Sequence, residues 1–211
     1  MVLARIDWRW FWLKAIAHGL LLLPLALLVR RAFSGGLGPD PVAELTHGTG
    51  DWALRLLLLS LAVTPLRRQL GQAWPVRFRR LVGLYAFFYA CLHLTVYLVL
   101  DLGAYWQQIL EDIVERPYIT VGFSAWLLLL LLALTSTRGW MRRLGRNWGR
   151  LHKAVYAAGV LAVLHFLWLV KADLREPLLY AAILALLLGL RAWWRWRRAP
   201  AAAAVQPTRG A

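Results

Sequence analysis

The sequence predicts an all-α integral membrane protein, a bundle of six transmembrane helices with both termini in the cytoplasm. Three observations carry that expectation. Of the 211 residues 61% are hydrophobic, and the mean hydropathy is +0.56, whereas a soluble domain is roughly 45–50% apolar. The apolar residues gather into six runs, each near the roughly 20 residues that cross a hydrocarbon core. The basic residues lie mostly in every second connection between those runs, which puts them on one side of the membrane.

The first run, Trp10–Val29, follows Arg5, Arg9 and Lys14. That start resembles a signal peptide, but the run is long enough to span and its end, VRRAFSGG, lacks a small-residue cleavage pattern. It is expected to remain as a signal anchor. The stretch SGGLGPDPVAELTHGTGD then reads as a turn-rich outer loop. Its glycines neither follow a strand nor open a βαβ unit, so they make no nucleotide-binding fingerprint.

The second and third runs are Trp52–Leu66 and Leu81–Leu100. Between the third and fourth, Trp106, Ile109, Leu110 and Ile113 recur at helical spacing. They predict a short helix lying in the outer interface, with Gln107, Gln108, Glu111, Asp112 and Glu115 turned to the outer compartment, as a partner-docking face or a plain connector. Tyr118–Ser136, Ala154–Val170 and Pro177–Trp194 complete the six. The sequence RAWWRWRR places Trp and Arg at headgroup level. Residues 1–198 thus form one transmembrane domain, and the low-complexity tail 199–211 is expected to be disordered.

With a cytoplasmic N-terminus, about 19 of the 25 Lys and Arg fall inside, as the positive-inside rule requires. The net charge of +15 is therefore topology and lipid anchoring, and no nucleic-acid partner is expected. The lone Cys91 sits in an apolar run, which excludes an intramolecular disulfide and a Cys-based metal or iron–sulfur site. Redox chemistry would need a bound cofactor.

Histidines supply the candidate ligands. Neutral imidazole is the commonest metal ligand, and one set among leucines needs a reason to be there. His93 and His165 each lie roughly 18–20 Å from the inner end of a span running inside to outside, at 1.5 Å per residue. Two imidazoles at matched depth on parallel helices can ligate a b-type haem from both faces. His152 precedes His165 by 13 residues, about 19.5 Å along the helix but about 140° around it. Its counterpart on the other helix is near Arg79 or Arg80, not a histidine. A second-haem ligand, a quinone or flavin contact, and a helix-start residue bonding the loop are the readings open to it. His18 is expected as a satisfied core histidine and His47 as an outer-loop one. Arg77, Arg79, Arg80 and Arg150 are positive-inside residues that can pair with haem propionates, and Trp148, Tyr85, Tyr89 and Tyr156 are packing aromatics or cofactor walls.

Several elements, in this order, carry a resemblance: GGLGPDPV, TPLRR, RFRRLVGLYAFFYACLHLTVY, ERPYITVG, LALTST and WGRLHKAVYAAGVLAVLHFLWLVK. From about Gly35 to Lys171 the chain resembles the MsrQ (YedZ) family, within the ferric-reductase-like transmembrane superfamily. The resemblance implies a six-helix protein of the bacterial inner membrane, carrying haem b and also FMN. It implies electrons taken from the quinone pool or a cytoplasmic flavin reductase. They would pass to MsrP, a periplasmic molybdenum-cofactor enzyme that reduces methionine sulfoxide in proteins. The family's histidines fall on His93, His152 and His165. Many superfamily members have two histidine pairs and a fused flavin and nicotinamide domain, and this chain has neither.

Bis-histidine ligation suits outer-sphere electron relay by the electron-transfer subunit of an oxidoreductase complex. A reductase of iron chelates or other small acceptors is the rival within redox proteins, and a non-redox scaffold or transporter the rival outside them. Transport would call for an inverted repeat and Gly/Pro-broken helices, and the sequence reading marks neither.

Overall fold

The structure, a computed structural model, describes residues 8–72 and 74–203, with side chains through 197. All regular elements among these residues are helical: α1 (Trp8–Phe33), α2 (Pro41–Leu70), α3 (Val76–Val96), α4 (Trp106–Glu115), α5 (Pro117–Leu134), α6 (Arg138–Leu144), α7 (Arg146–Leu151), α8 (Ala154–Leu169) and α9 (Arg175–Ala203). Five helical stretches are long and apolar enough to cross a membrane, at 8–33, 76–101, 117–134, 146–169 and 175–197. The basic start before Trp8 lies outside the described residues. So does 204–211 of the expected disordered tail, while α9 itself runs to Ala203.

Helix α2 is the centre of the bundle. It has 30 residues, about 45 Å of helix, and buries Leu54, Leu56, Leu57, Leu58, Leu61 and Val63. Asp51 and Arg55 interrupt its apolar stretch, and Arg55 is held by Asp51 at 3.4 Å and by the Tyr180 hydroxyl at 2.8 Å. Residues 41–51, expected as loop, are helical. The Asp40 carboxylate caps the Ala43 N–H at 2.9 Å, Pro41 occupies the first turn, and Glu44 accepts from Gly38 N–H at 2.7 Å and pairs with Arg31. These are helix-start signals, and they outweigh the glycines that follow.

Helix α1 buries no residue and is held by a proline break. Pro24 has no N–H to give, which loosens the local ladder of hydrogen bonds. The Tyr89 hydroxyl enters the gap, accepting from Leu25 N–H at 3.1 Å and donating to Leu21 O at 2.9 Å. Tyr89 comes from α3 and is 1% exposed, so one buried phenol repairs α1 and ties it to the core.

Helix α3 runs on into one π-helical turn, Tyr97–Asp101. The Tyr97 hydroxyl donates to Asp112 at 2.6 Å, and Arg116 pairs with the same carboxylate at 3.1 Å. Here the structure corrects one residue of the expected outer face of α4: Asp112 is buried against the protein beside Ile109, while Trp106 and Leu110 are exposed. The Tyr97 hydroxyl gives the carboxylate a better place than open solvent.

The stretch Arg146–Val170 is also not one helix. A turn at His152–Lys153 separates α7 from α8, so an angle computed along an ideal helix between His152 and His165 does not apply. Tyr89→Phe leaves the Leu25 N–H and Leu21 carbonyl without their partner in an apolar setting. We expect a loss of about 1–3 kcal/mol, read as a lower denaturation midpoint in detergent and earlier proteolysis between α1 and α2.

Candidate functional site

Two backbone carbonyls, of Thr46 on α2 and Tyr118 on α5, each accept a hydrogen bond from a histidine ring. His93 Nδ1 lies 2.9 Å from Thr46 O, and His165 Nδ1 lies 2.7 Å from Tyr118 O. A carbonyl can only accept, so each Nδ1 bears the proton and each Nε2 keeps its lone pair. The two rings are neighbours, with centroids 6.2 Å apart and planes inclined at 73°.

The two halves of this arrangement are copies. In each, the histidine follows its acceptor by 47 residues. The halves stand 72 residues apart, 46 to 118 and 93 to 165, and Gly50 and Gly122, one against each ring, keep that offset. Around them Ala86-x3-Ala90-x-Leu92-His93 recurs as Ala158-x3-Ala162-x-Leu164-His165. Ala86 and Ala158 are both fully buried, in one core cluster with Leu57 and Leu129, which are also 72 apart. Thus the α2–α3 hairpin and the α5–α8 pair form a parallel repeat, with the histidines meeting between them.

At the opposite end of the bundle the copies differ. Thr64 and Ser136 correspond, and His152 stands where the first copy has Arg80; Thr64 Oγ1 is reached by Nη1 of the neighbouring Arg79 at 3.4 Å, whereas His152 Nε2 is 3.3 Å from Ser136 Oγ. His152 stacks on Trp148 with centroids 3.9 Å apart, and its Nδ1 is 3.2 Å from Trp148 O. Trp148 in turn donates from Nε1 to Thr135 O at 2.9 Å. His152 therefore laces the corner between α7 and α8 to the end of α5. The structure does not bring it to the His93–His165 pair.

His18 is also apart from the pair. It lies on the exposed side of α1 with Nδ1 2.8 Å from the Tyr85 hydroxyl, satisfied but not in the core. His47 is exposed and lines a pocket with Asp51, Asp173 and Glu176. The aromatic candidates have packing duties: Tyr85 with His18, Tyr89 with α1, Trp148 with His152, and Tyr156 beneath Arg191. Arg77 lies over the Trp10 ring, 4.1 Å from its centroid.

Residues missed in the sequence are Thr46, Tyr118, Gly50 and Gly122. The signal was present in the repeated spacing, although only a comparison of the chain with itself displays it. Chemically, the paired rings fit a metal bound between two neutral imidazoles. Metal–nitrogen bonds of roughly 2.0–2.1 Å on both sides suit a gap of this size, and an outer carbonyl already orients each ring. Among the described residues no group of three or more His, Cys, Asp or Glu gathers as for a bare ion. Two imidazoles suit a metal that brings its own equatorial ligands, as haem does.

Comparison with known proteins agrees with this chemistry. Residues 49–163 match the family described as ferric reductase like transmembrane component. Over 188 residues the chain is 64% identical to the protein-methionine-sulfoxide reductase heme-binding subunit MsrQ of Xanthomonas campestris pv. campestris (strain 8004), covering 86% of each protein. The chain belongs to the MsrQ family. The MsrQ of Xanthomonas axonopodis pv. citri is 63% identical over 186 residues, 85% of each protein. That of Bordetella pertussis is 49% identical over 195 residues, 90% of this chain and 86% of the relative. No solved structure matches.

For this MsrQ family member the repeat gives a packing test. Ala86→Leu and Ala158→Leu each force a larger side chain into a fully buried helix contact. Overpacking of this kind costs about 1–3 kcal/mol, and the two variants should lose similar stability in denaturant titrations because their sites are equivalent.

Proposed function

We propose that this protein is a membrane b-type cytochrome that binds haem between His93 and His165. It relays electrons from the quinone pool, or from a cytoplasmic flavin reductase, to the periplasmic methionine sulfoxide reductase MsrP, for repair of oxidised periplasmic proteins. The single observation that carries the reading is the facing pair of imidazoles, 6.2 Å apart, with both Nδ1 atoms tied to carbonyls. The curated relatives are named as heme-binding subunits of a protein-methionine-sulfoxide reductase, which supports the same cofactor and system.

On this reading α2 is the sixth span, its Asp51–Arg55 pair shielded by neighbouring helices, and both termini lie in the cytoplasm of a bacterial inner-membrane protein. The His93 and His165 ends of their helices then face outward. The bound haem would supply one-electron acceptance and donation. His93 and His165 would hold it from both sides, an arrangement suited to relay to a protein acceptor. At the inner end, Arg191 lies over Tyr156 and Arg68 over Trp194, close to Arg79 and His152. A cationic group of this kind would attract an anionic donor cofactor, such as the FMN that the resemblance implies. Each methionine sulfoxide takes two electrons and two protons to give methionine and water, so two one-electron deliveries complete a turnover.

Purified protein should show a cytochrome b spectrum; a colourless preparation grown with ample haem overturns the reading. His93→Ala and His165→Ala should each lose most of the haem, and His18→Ala should keep it. Imidazole planes kept near the 73° observed here would, with haem bound, leave the iron orbitals along the two planes nearly equal in energy. The ferric protein should therefore give a strongly anisotropic low-spin EPR signal with a large g-max. Reduced protein in vesicles should be reoxidised by added oxidised MsrP and not by iron chelates.

A further inference from the structure

We infer that Gly50 and Gly122 are the positioning residues of the two imidazoles, each uncovering the carbonyl that fixes its histidine. The inference rests on the haem reading for its redox consequence, but the positioning itself is a property of the folded chain.

Its basis is helix geometry. Side chains in an α-helix lean toward the N-terminus, so a residue at i+4 covers the carbonyl of residue i. That carbonyl is normally engaged within the helix and hidden from a neighbour's side chain. In both copies of the repeat the residue four beyond the accepting carbonyl is glycine: Gly50 beyond Thr46, and Gly122 beyond Tyr118. A Cβ on Gly122 would stand 2.7 Å from His165 Nδ1 and 2.9 Å from its Cε1. On Gly50 it would stand 3.0 Å from His93 Nδ1 and 3.1 Å from Cε1.

The nearest atom in both cases is the nitrogen that makes the hydrogen bond. Even a methyl group would therefore displace the ring from its carbonyl rather than brush a flexible chain end. Losing that bond frees the imidazole to rotate and to exchange tautomer, and an Nε2–H cannot ligate a metal. It also removes the partner that raises the basicity of the ligating nitrogen. Neither glycine has a positive φ, so a turn does not explain its presence. Other helical glycines do different work: a Cβ on Gly159 would meet the methyl groups of Leu184 and Leu61 at 3.4 Å, an ordinary contact.

The test uses full-length protein carrying 15N-labelled histidine, reduced with dithionite so that six-coordinate ferrous haem is diamagnetic. Wild type should show His93 and His165 protonated at Nδ1 and hydrogen-bonded. Gly122→Ala should shift the His165 resonances alone, weaken haem binding about 10–100-fold as for other partners of metal ligands, and move the midpoint potential upward. Gly50→Ala should do the same to His93 by a smaller amount, since its contacts are longer. Gly159→Ala, a packing change on the same helix as His165, should leave both rings and the potential unshifted.

Gly122→Ala with unchanged His165 resonances and haem affinity overturns the inference, as does a Gly159→Ala shift of equal size. Should Gly122→Ala not fold, Gly50→Ala decides on the same criteria. Wild-type rings lacking the Nδ1–H bond overturn it without any variant. A colourless wild type whose rings nonetheless carry bonded Nδ1–H overturns the haem reading and leaves the glycine role standing.

Discussion

In hydrocarbon a polar group has no water to fall back on, and this molecule is arranged around that constraint. Several polar groups described above are met by specific partners, although Trp126 Nε1 and Arg191 Nε are buried without one. Tyr89 closes the gap beside Pro24, Tyr97 and Arg116 meet Asp112, and Tyr180 meets Arg55. The same rule, applied to imidazole, puts Nδ1 of His93 and of His165 on a carbonyl and leaves Nε2 as the lone-pair nitrogen of each ring.

The charged residues divide the work by depth. At the end of the bundle bearing the histidine pair, carboxylates and arginines are matched, as in Asp51–Arg55 and Asp112–Arg116. At the other end the arginines find carbonyls, hydroxyls and aromatic rings: Arg191 bonds the Leu187 carbonyl, Arg79 reaches Thr64 and Arg68 covers Trp194. Among the described residues none of these three arginines pairs with a carboxylate.

Much of this was legible in the sequence, and what was not has a physical reason. Apolar runs located the long helices because crossing hydrocarbon demands length and composition together. Depth counting along two runs singled out His93 and His165, since rise per residue is fixed in a helix. The beginning of α2 was misread because Gly48 and Gly50 look like loop residues. They are tolerated in a helix because Leu28 and His93 fill the space beside them. The burial of Asp112 on α4 depended on Tyr97, brought round by a π-helical turn that no periodicity announces. His152 was ambiguous because the turn that reorients it is a tertiary matter, fixed by Trp148 and Ser136.

The 72-residue offset reaches beyond this chain. A single helical hairpin bearing a carbonyl, a glycine four residues on and a histidine 47 residues on contains everything needed for half of the site. Two such hairpins, paired side by side about an axis along the membrane normal, would create the whole of it. An ancestor half this size, working as a homodimer, is therefore sufficient in principle. In this chain the far ends of the two halves are free of that symmetry, with Arg80 in one where the other has His152.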